Sequence, residues 1–174
     1  MPNQPTLASL AEDLETLFTI RRQTAKEERD VIEQLLDHRL VTIGSSDGGA
    51  HLTTFCGADY PTRLLTQFVP DNLSLEHAVA KLTSGPADAI GLVDRGRILP
   101  GLAGDFVVFD PDRLGVGPIQ LVRDLPAGAE RLVFPAQGYH ATIVNGAVAI
   151  QDGVATGALA GSVLRGGQSA LSAL

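Results

Sequence analysis

Leu40-Val41-Thr42-Ile43-Gly44-Ser45-Ser46-Asp47-Gly48-Gly49-Ala50-His51 divides into an apolar half and a glycine-rich half. The run from Leu40 to Ile43, with β-branched Val41 and Ile43, reads as a short buried strand. It stops at Gly44, and an acid follows at Asp47 with Gly48 and Gly49 behind it. α/β proteins place catalytic carboxylates at the carboxyl end of a buried strand, on backbone loosened by glycine. Ser46-Asp47-Gly48-Gly49 is also ordinary turn chemistry, and the pattern alone leaves both readings open.

Composition narrows the classes around this stretch. A chain of 174 residues suits one ordinary domain or two small ones and buries roughly 70% of its unfolded surface. Its hydrophobic content of 44% and charged content of 19% are those of a globular protein. The net charge of −7 argues against nucleic acid or an anionic membrane as partner. No apolar run approaches the ~20 residues of a membrane span, and the N-terminus lacks a signal-peptide apolar core. The expectation is a soluble, cytoplasmic protein. A single cysteine, Cys56, excludes an internal disulfide.

Upstream of the central stretch, residues 1–9 lack periodicity, and Leu10, Leu14, Leu17 and Phe18 predict an amphipathic helix over residues 10–22. Thr24-Ala25-Lys26-Glu27 is a capping-box pattern that opens a second helix. That helix carries Val31, Ile32, Leu35 and Leu36 on one face and ends near His38. Helix followed by the run from Leu40 makes one αβ step of a parallel sheet. Residues 44–59 have no periodicity and are long for a mere connection, which favours a functional loop.

Downstream, Tyr60-Pro61 predicts a helix to about Phe68, with Pro61 tolerated in its first turn. Ser74 caps the next, whose buried face is Leu75, Ala78, Val79 and Leu82. Gly85-Pro86 opens a last short helix that Gly91 closes. The chain then changes character. Phe106-Val107-Val108-Phe109 is a compact strand, whereas residues 112–138 read as loops with one strand near residues 132–134. Ala141 to Val144 and Ala147 to Ile150 flank Asn145-Gly146, the strongest short-range hairpin signal. Asp152-Gly153 turns the chain again, and residues 161–174 read as a tail.

Three stretches taken together resemble one family. Ser46-Asp47-Gly48-Gly49-Ala50-His51 after a strand is similar to the last barrel strand of the metal-dependent amidohydrolases, most of all the D-aminoacylases (N-acyl-D-amino-acid deacylases). Asp94-Arg95-Gly96-Arg97-Ile98-Leu99-Pro100-Gly101 followed by Gly104-Asp105-Phe106-Val107-Val108-Phe109-Asp110-Pro111 resembles that family's return to its β-domain. Val144-Asn145-Gly146, Asp152-Gly153 and Thr156-Gly157 resemble its C-terminal end. Three ordered motifs are specific where one alone is weak. The resemblance covers nearly everything from about Asp13 onward.

It implies an α/β plus β protein: the last portion of a (β/α)8 barrel in residues 1–95, then a small β-sandwich domain with a C-terminal tail in residues 96–174. A complete barrel takes about 250 residues, so the chain looks like the C-terminal portion of an enzyme. The implied activity is hydrolysis of a non-peptide C–N amide bond in a small molecule. Asp47 is then general base and acid beside a metal-bound water, with zinc as the metal of the complete enzyme.

Other site residues follow with less support from the motif. His51 shapes the pocket mouth, and Arg63 can meet a substrate carboxylate bidentately. The family's substrate-binding arginine in the loop after the aspartate has no counterpart between Gly48 and Thr62. No His-x-His occurs, and His38, His51, His77 and His140 lie in four different settings. A catalytic zinc needs three protein ligands, and only Asp47 maps onto the family's set. His38 reads as a helix C-terminal cation, His77 as an exposed first-turn residue, and Asp105 and Asp110 as structural turn acids.

Two rivals belong to other classes: a non-catalytic assembly module, and a small metal-binding protein using Asp47, His51 and Cys56. An incomplete barrel leaves sheet edges and apolar helix faces for missing strands or a partner chain to cover. The isolated chain is therefore expected to self-associate on size exclusion or to be marginally stable. A compact, stable monomer would count against this.

Overall fold

The structure is a computed structural model that describes residues 26–36, 38, 40–44, 46, 48–49, 51–53 and 58–164. The helix expected over residues 10–22 and the Thr24 cap lie outside the described residues. The chain divides into two compact units, Met1–Ile32 and Glu33–Leu174. The described part of the first is the beginning of helix α1, Lys26–Leu36; all else below belongs to the second.

Three further helices form where local signals place them. Helix α2, Tyr60–Gln67, has its proline in the first turn, where a missing N–H costs nothing. Helix α3, Leu75–Leu82, begins at Ser74, whose Oγ accepts the His77 N–H at 3.2 Å. Helix α4, Ser84–Ile90, ends on Gly91 at φ 75°, the left-handed conformation glycine reaches without a Cβ clash. Leu36, Leu64, Leu65, Leu73 and Ala78 make the core, with Ile43, Leu75, Val79, Leu82, Phe109 and Leu114 packed against it. Among the described side chains of α1 only Leu36 is buried; Val31 (54% exposed) and Leu35 (47%) face water.

The strand expected from Leu40 to Ile43 does not form. Leu40 sits in a turn and is 73% exposed, and residues 41–44 run without a ladder partner. An extended segment becomes a strand only when a neighbour takes its backbone groups. Here the buried Lys81 of α3 takes that place, its Nζ donating to the carbonyls of Val41 (3.2 Å) and His38 (3.5 Å). The αβ step of a parallel sheet is therefore not made, and the strand pairs among the described residues are all antiparallel.

The strands fall into one sheet and two ladders. β1 (Phe106–Phe109), β6 (Tyr139–Val144), β7 (Ala147–Gln151) and β8 (Val154–Ala155) form a four-stranded sheet in the order β1-β6-β7-β8. β2 (Gly115–Val116) pairs with β5 (Ala136–Gln137), and β3 (Gln120–Val122) with β4 (Arg131–Val133). Residues 112–138 thus hold four short strands where the sequence reading has loops and one strand. Runs of two or three residues are too short to show a period and exist only because they close on one another. Asn145 (φ 47°) and Gly146 (φ 81°) make the expected hairpin turn.

One ionic knot joins the loop after α4 to that hairpin. The nearly buried Arg95 donates to Asp94 Oδ1 at 3.2 Å and to Asp105 Oδ2 at 2.5 Å. The other Asp105 oxygen accepts the Asn145 N–H at 2.7 Å. Asp110 Oδ1 accepts from Asp112 N at 3.1 Å and starts a 3-10 turn, Pro111–Arg113. Both acids are turn acids, as their positions suggested.

Two glycines separate strain from crowding. Gly146 has open space around its missing Cβ, whereas a Cβ on Gly138 (φ 79°) would lie 2.6 Å from the Arg113 carbonyl carbon. Gly146→Ala is expected to cost about 1–2 kcal/mol, the left-handed penalty. Gly138→Ala should cost about 3 kcal/mol or more, because overpacking adds to it. Urea midpoints at unchanged m-value measure both; equal losses would refute the packing at Gly138.

Candidate functional site

The loop after residue 44 closes on itself through a serine. Ser46 Oγ accepts the Gly48 N–H at 3.1 Å. A Cβ on Gly48 would lie 2.9 Å from that oxygen and 3.0 Å from the Ala58 Cβ, so a side chain there would make Ser46 or Ala58 shift. Gly49 is left-handed at φ 98°, and so is His51 at φ 49°, a conformation uncommon for a side-chain-bearing residue. Tight turning of this kind leaves the peptide at Gly48–Gly49 as the rim of a cavity of about 330 Å³.

Helix α2 supplies one wall. Asp59 precedes it without capping it, because its carboxylate accepts the Arg63 Nε–H one turn on, at 2.6 Å. Thr62 is 6% exposed and shares a 2.7 Å hydrogen bond with the Tyr139 hydroxyl on β6. The Tyr139 ring in turn lies 6.2 Å from that of Phe109. A buried hydroxyl so paired holds one rotamer, since an unmade bond there costs about 1–3 kcal/mol.

β4, β5 and the residues between them supply another part of the lining, with Leu132, Val133, Phe134 and Ala136. Leu132 N–H donates to the Leu52 carbonyl at 2.8 Å, which stitches β4 to the glycine loop. At the wall's edge Arg131 grips Asp124 bidentately, at 2.7 and 2.6 Å. The hydrogen bond from Arg131 holds the Asp124 carboxyl below the usual aspartate range, and Asp124 raises Arg131 in return.

The residues singled out from sequence divide as follows. Asp47 and Cys56 lie outside the described residues. His51 is exposed and near the rim in sequence, and it is not among the residues lining the cavity. Arg63 is 43% exposed, and its contact with the cavity runs through Asp59. His38 Nδ1 accepts the Leu40 N–H at 3.2 Å. His77 is exposed, and His140 Nδ1 lies 3.3 Å from Asp152 Oδ1. No group of three His, Cys, Asp or Glu side chains that could hold a metal occurs among the described residues, so those residues do not by themselves fit a zinc ion. Thr62, Tyr139 and Arg131 went unnoticed in the sequence, where nothing local links positions 77 residues apart.

Comparison with known proteins gives three findings. The amidohydrolase family profile matches residues 10–150. An N-acyl-D-glutamate deacylase of Alcaligenes xylosoxydans xylosoxydans is 51% identical over 53 residues, which are 29% of this chain and 11% of that protein. The solved structure of a D-aminoacylase mutant in complex with CuCl2 is similar with a TM-score of 0.53 at 31% identity, over 79% of this chain and 27% of that one. The chain thus spans only a minor part of the length of either relative.

The Asp124–Arg131 pair makes a sign-definite prediction. Because the folded-state value of Asp124 is depressed, the pair's contribution is present above the unfolded aspartate value and is lost as pH falls through the folded one. Carboxyl carbon shifts followed against pH should place Asp124 below an ordinary aspartate, and Arg131→Gln should return it there. Identical titrations in the two proteins would refute the pairing.

Proposed function

The chain belongs to the amidohydrolase family, and on that premise we propose that it is the C-terminal part of a D-aminoacylase-type enzyme hydrolysing the amide bond of an N-acyl-D-amino acid. One observation carries the reading. An acid, Asp47, directly precedes the two glycines that rim a cavity of about 330 Å³, a volume at the lower end of small-molecule sites.

In this reading Asp47 is general base and then general acid. It accepts a proton from water as the water oxygen attacks the amide carbonyl carbon, and gives that proton to nitrogen as the C–N bond breaks. His51 shapes the mouth beside the glycines, and the half-exposed Arg63 guanidinium meets the substrate carboxylate. Helices α1–α4 are outer helices of a (β/α)8 barrel, and the antiparallel sheets are its small β-domain. The amidohydrolase family is generally metal-dependent, and we expect zinc in the complete enzyme. Because the described residues do not gather its ligands, no step here is given to it.

A chimera tests the reading: residues 10–150 replace the matching segment of a D-aminoacylase, and release of D-amino acid from N-acetylated substrates is followed. Asp47→Ala should lower kcat about 1,000-fold or more, with KM within about threefold. Loss of less than about tenfold in kcat would remove Asp47 from the chemistry.

A further inference from the structure

Asn145-Gly146 carries a reactive pair that the hairpin turn does not use. A glycine after asparagine leaves the next backbone nitrogen unshielded, because glycine has no Cβ. Here both residues are exposed, and nothing would crowd a Cβ on Gly146 within 4 Å. We propose that Asn145 is a site of spontaneous deamidation, and that residues 156–160 are a latch that slows the reaction and is released by its product.

The step balances with water as its co-reactant. The Gly146 nitrogen loses its proton to solvent and attacks the Asn145 Cγ. A C–N bond forms, the bond from Cγ to Nδ2 breaks, and Nδ2 takes a proton and leaves as ammonia. Water then opens the resulting succinimide at one carbonyl or the other. One opening leaves aspartate at position 145. The other leaves isoaspartate, in which the main chain runs through Cγ and is longer by one atom.

The turn occupies both reacting groups. Gly146 N–H donates to the Gly104 carbonyl at 2.8 Å, and Asn145 Nδ2 donates to the Ala160 carbonyl at 2.7 Å. A nitrogen that has lost its proton can no longer donate, so the bond to Gly104 is given up. The departing nitrogen is Nδ2 itself, so the bond to Ala160 goes with it. Each bond therefore holds Asn145 in its unreacted form.

Thr156 places the Ala160 carbonyl at the turn. Its Oγ1 donates to the carbonyls of Val148 (2.6 Å) and Ala149 (3.2 Å), and its N–H donates to Ala149 at 3.0 Å. The same Oγ1 accepts the Ala158 N–H at 3.2 Å. These bonds tie the chain leaving β8 back onto β7. Asn145-Gly146 and Thr156-Gly157, far apart in sequence, are one physical unit.

The product undoes that unit. A carboxylate at position 145 has no N–H to offer the Ala160 carbonyl. It also adds a negative charge to the residue whose N–H bonds the Asp105 carboxylate at 2.7 Å. Arg95, the cation of that knot, is already shared by Asp94 and Asp105, and like charges close together repel.

The test follows the 174-residue chain at neutral pH, counting aspartate and isoaspartate at position 145 by mass spectrometry. A synthetic peptide of residues 141–149 sets the unlatched rate. The folded chain should react about tenfold more slowly than the peptide, the worth of two exposed hydrogen bonds. Thr156→Val should speed the folded chain about threefold, whereas Thr156→Ser, which keeps the hydroxyl, should hold the wild-type rate. In Asn145→Asp, hydrogen exchange at the Thr156 and Ala158 amides should rise about tenfold. The Leu132 amide, bonded to Leu52, should keep its rate. Equal rates in chain and peptide, no modification in either, no response to Thr156→Val, the same gain with Thr156→Ser, or acceleration of Leu132 together with Thr156 would each overturn the proposal.

Discussion

A buried ammonium group determines where the glycine loop begins. Lys81 projects from α3 with little of its surface in water, and its Nζ donates to the carbonyls of His38 and Val41. A buried cation is tolerated when it is hydrogen-bonded, and carbonyls in an extended run need a donor. Each satisfies the other. Ile43, two residues further on, packs onto the leucine core, so the chain enters the loop from a fixed position on α3.

From that anchor the site is assembled by contacts between distant segments. The core holds α2 through Leu64 and Leu65. Thr62, on the same helix, reaches the sheet through Tyr139, and the β4 wall is drawn to the loop by the bond from Leu132 to Leu52. These partly buried bonds outweigh the ion pairs around the rim. Arg123–Glu130 and Arg131–Asp124 are well exposed, and solvent screening leaves such pairs little to contribute. The pairs orient the β3–β4 hairpin; the buried bonds hold it.

Local signals were legible wherever the physics is local. Ser74 caps its helix through a bond three residues on, and Gly91 ends another by adopting a positive φ. Asn145-Gly146 folds the hairpin because both residues reach the left-handed region. The ordered motifs around Asp47, Asp94–Pro111 and Asn145-Gly146 pointed to the amidohydrolases, and the family match over residues 10–150 agrees. Leu40 to Ile43 misled for the opposite reason: β-branched residues raise strand propensity, but a strand needs a neighbouring ladder, and Lys81 stands in its place.

The sequence by itself determined the helices at Tyr60–Gln67, Leu75–Leu82 and Ser84–Ile90, the hairpin turn and the family, because each depends on dihedral preference, capping or motif order within a short window. Only the tertiary structure decided that β2, β3 and β5 exist, that Thr62 is locked by a tyrosine far along the chain, and that Gly48–Gly49 lines a largely apolar cavity. Those features arise when segments meet in space, and the free energy of that meeting belongs to pairs of residues that no single window contains.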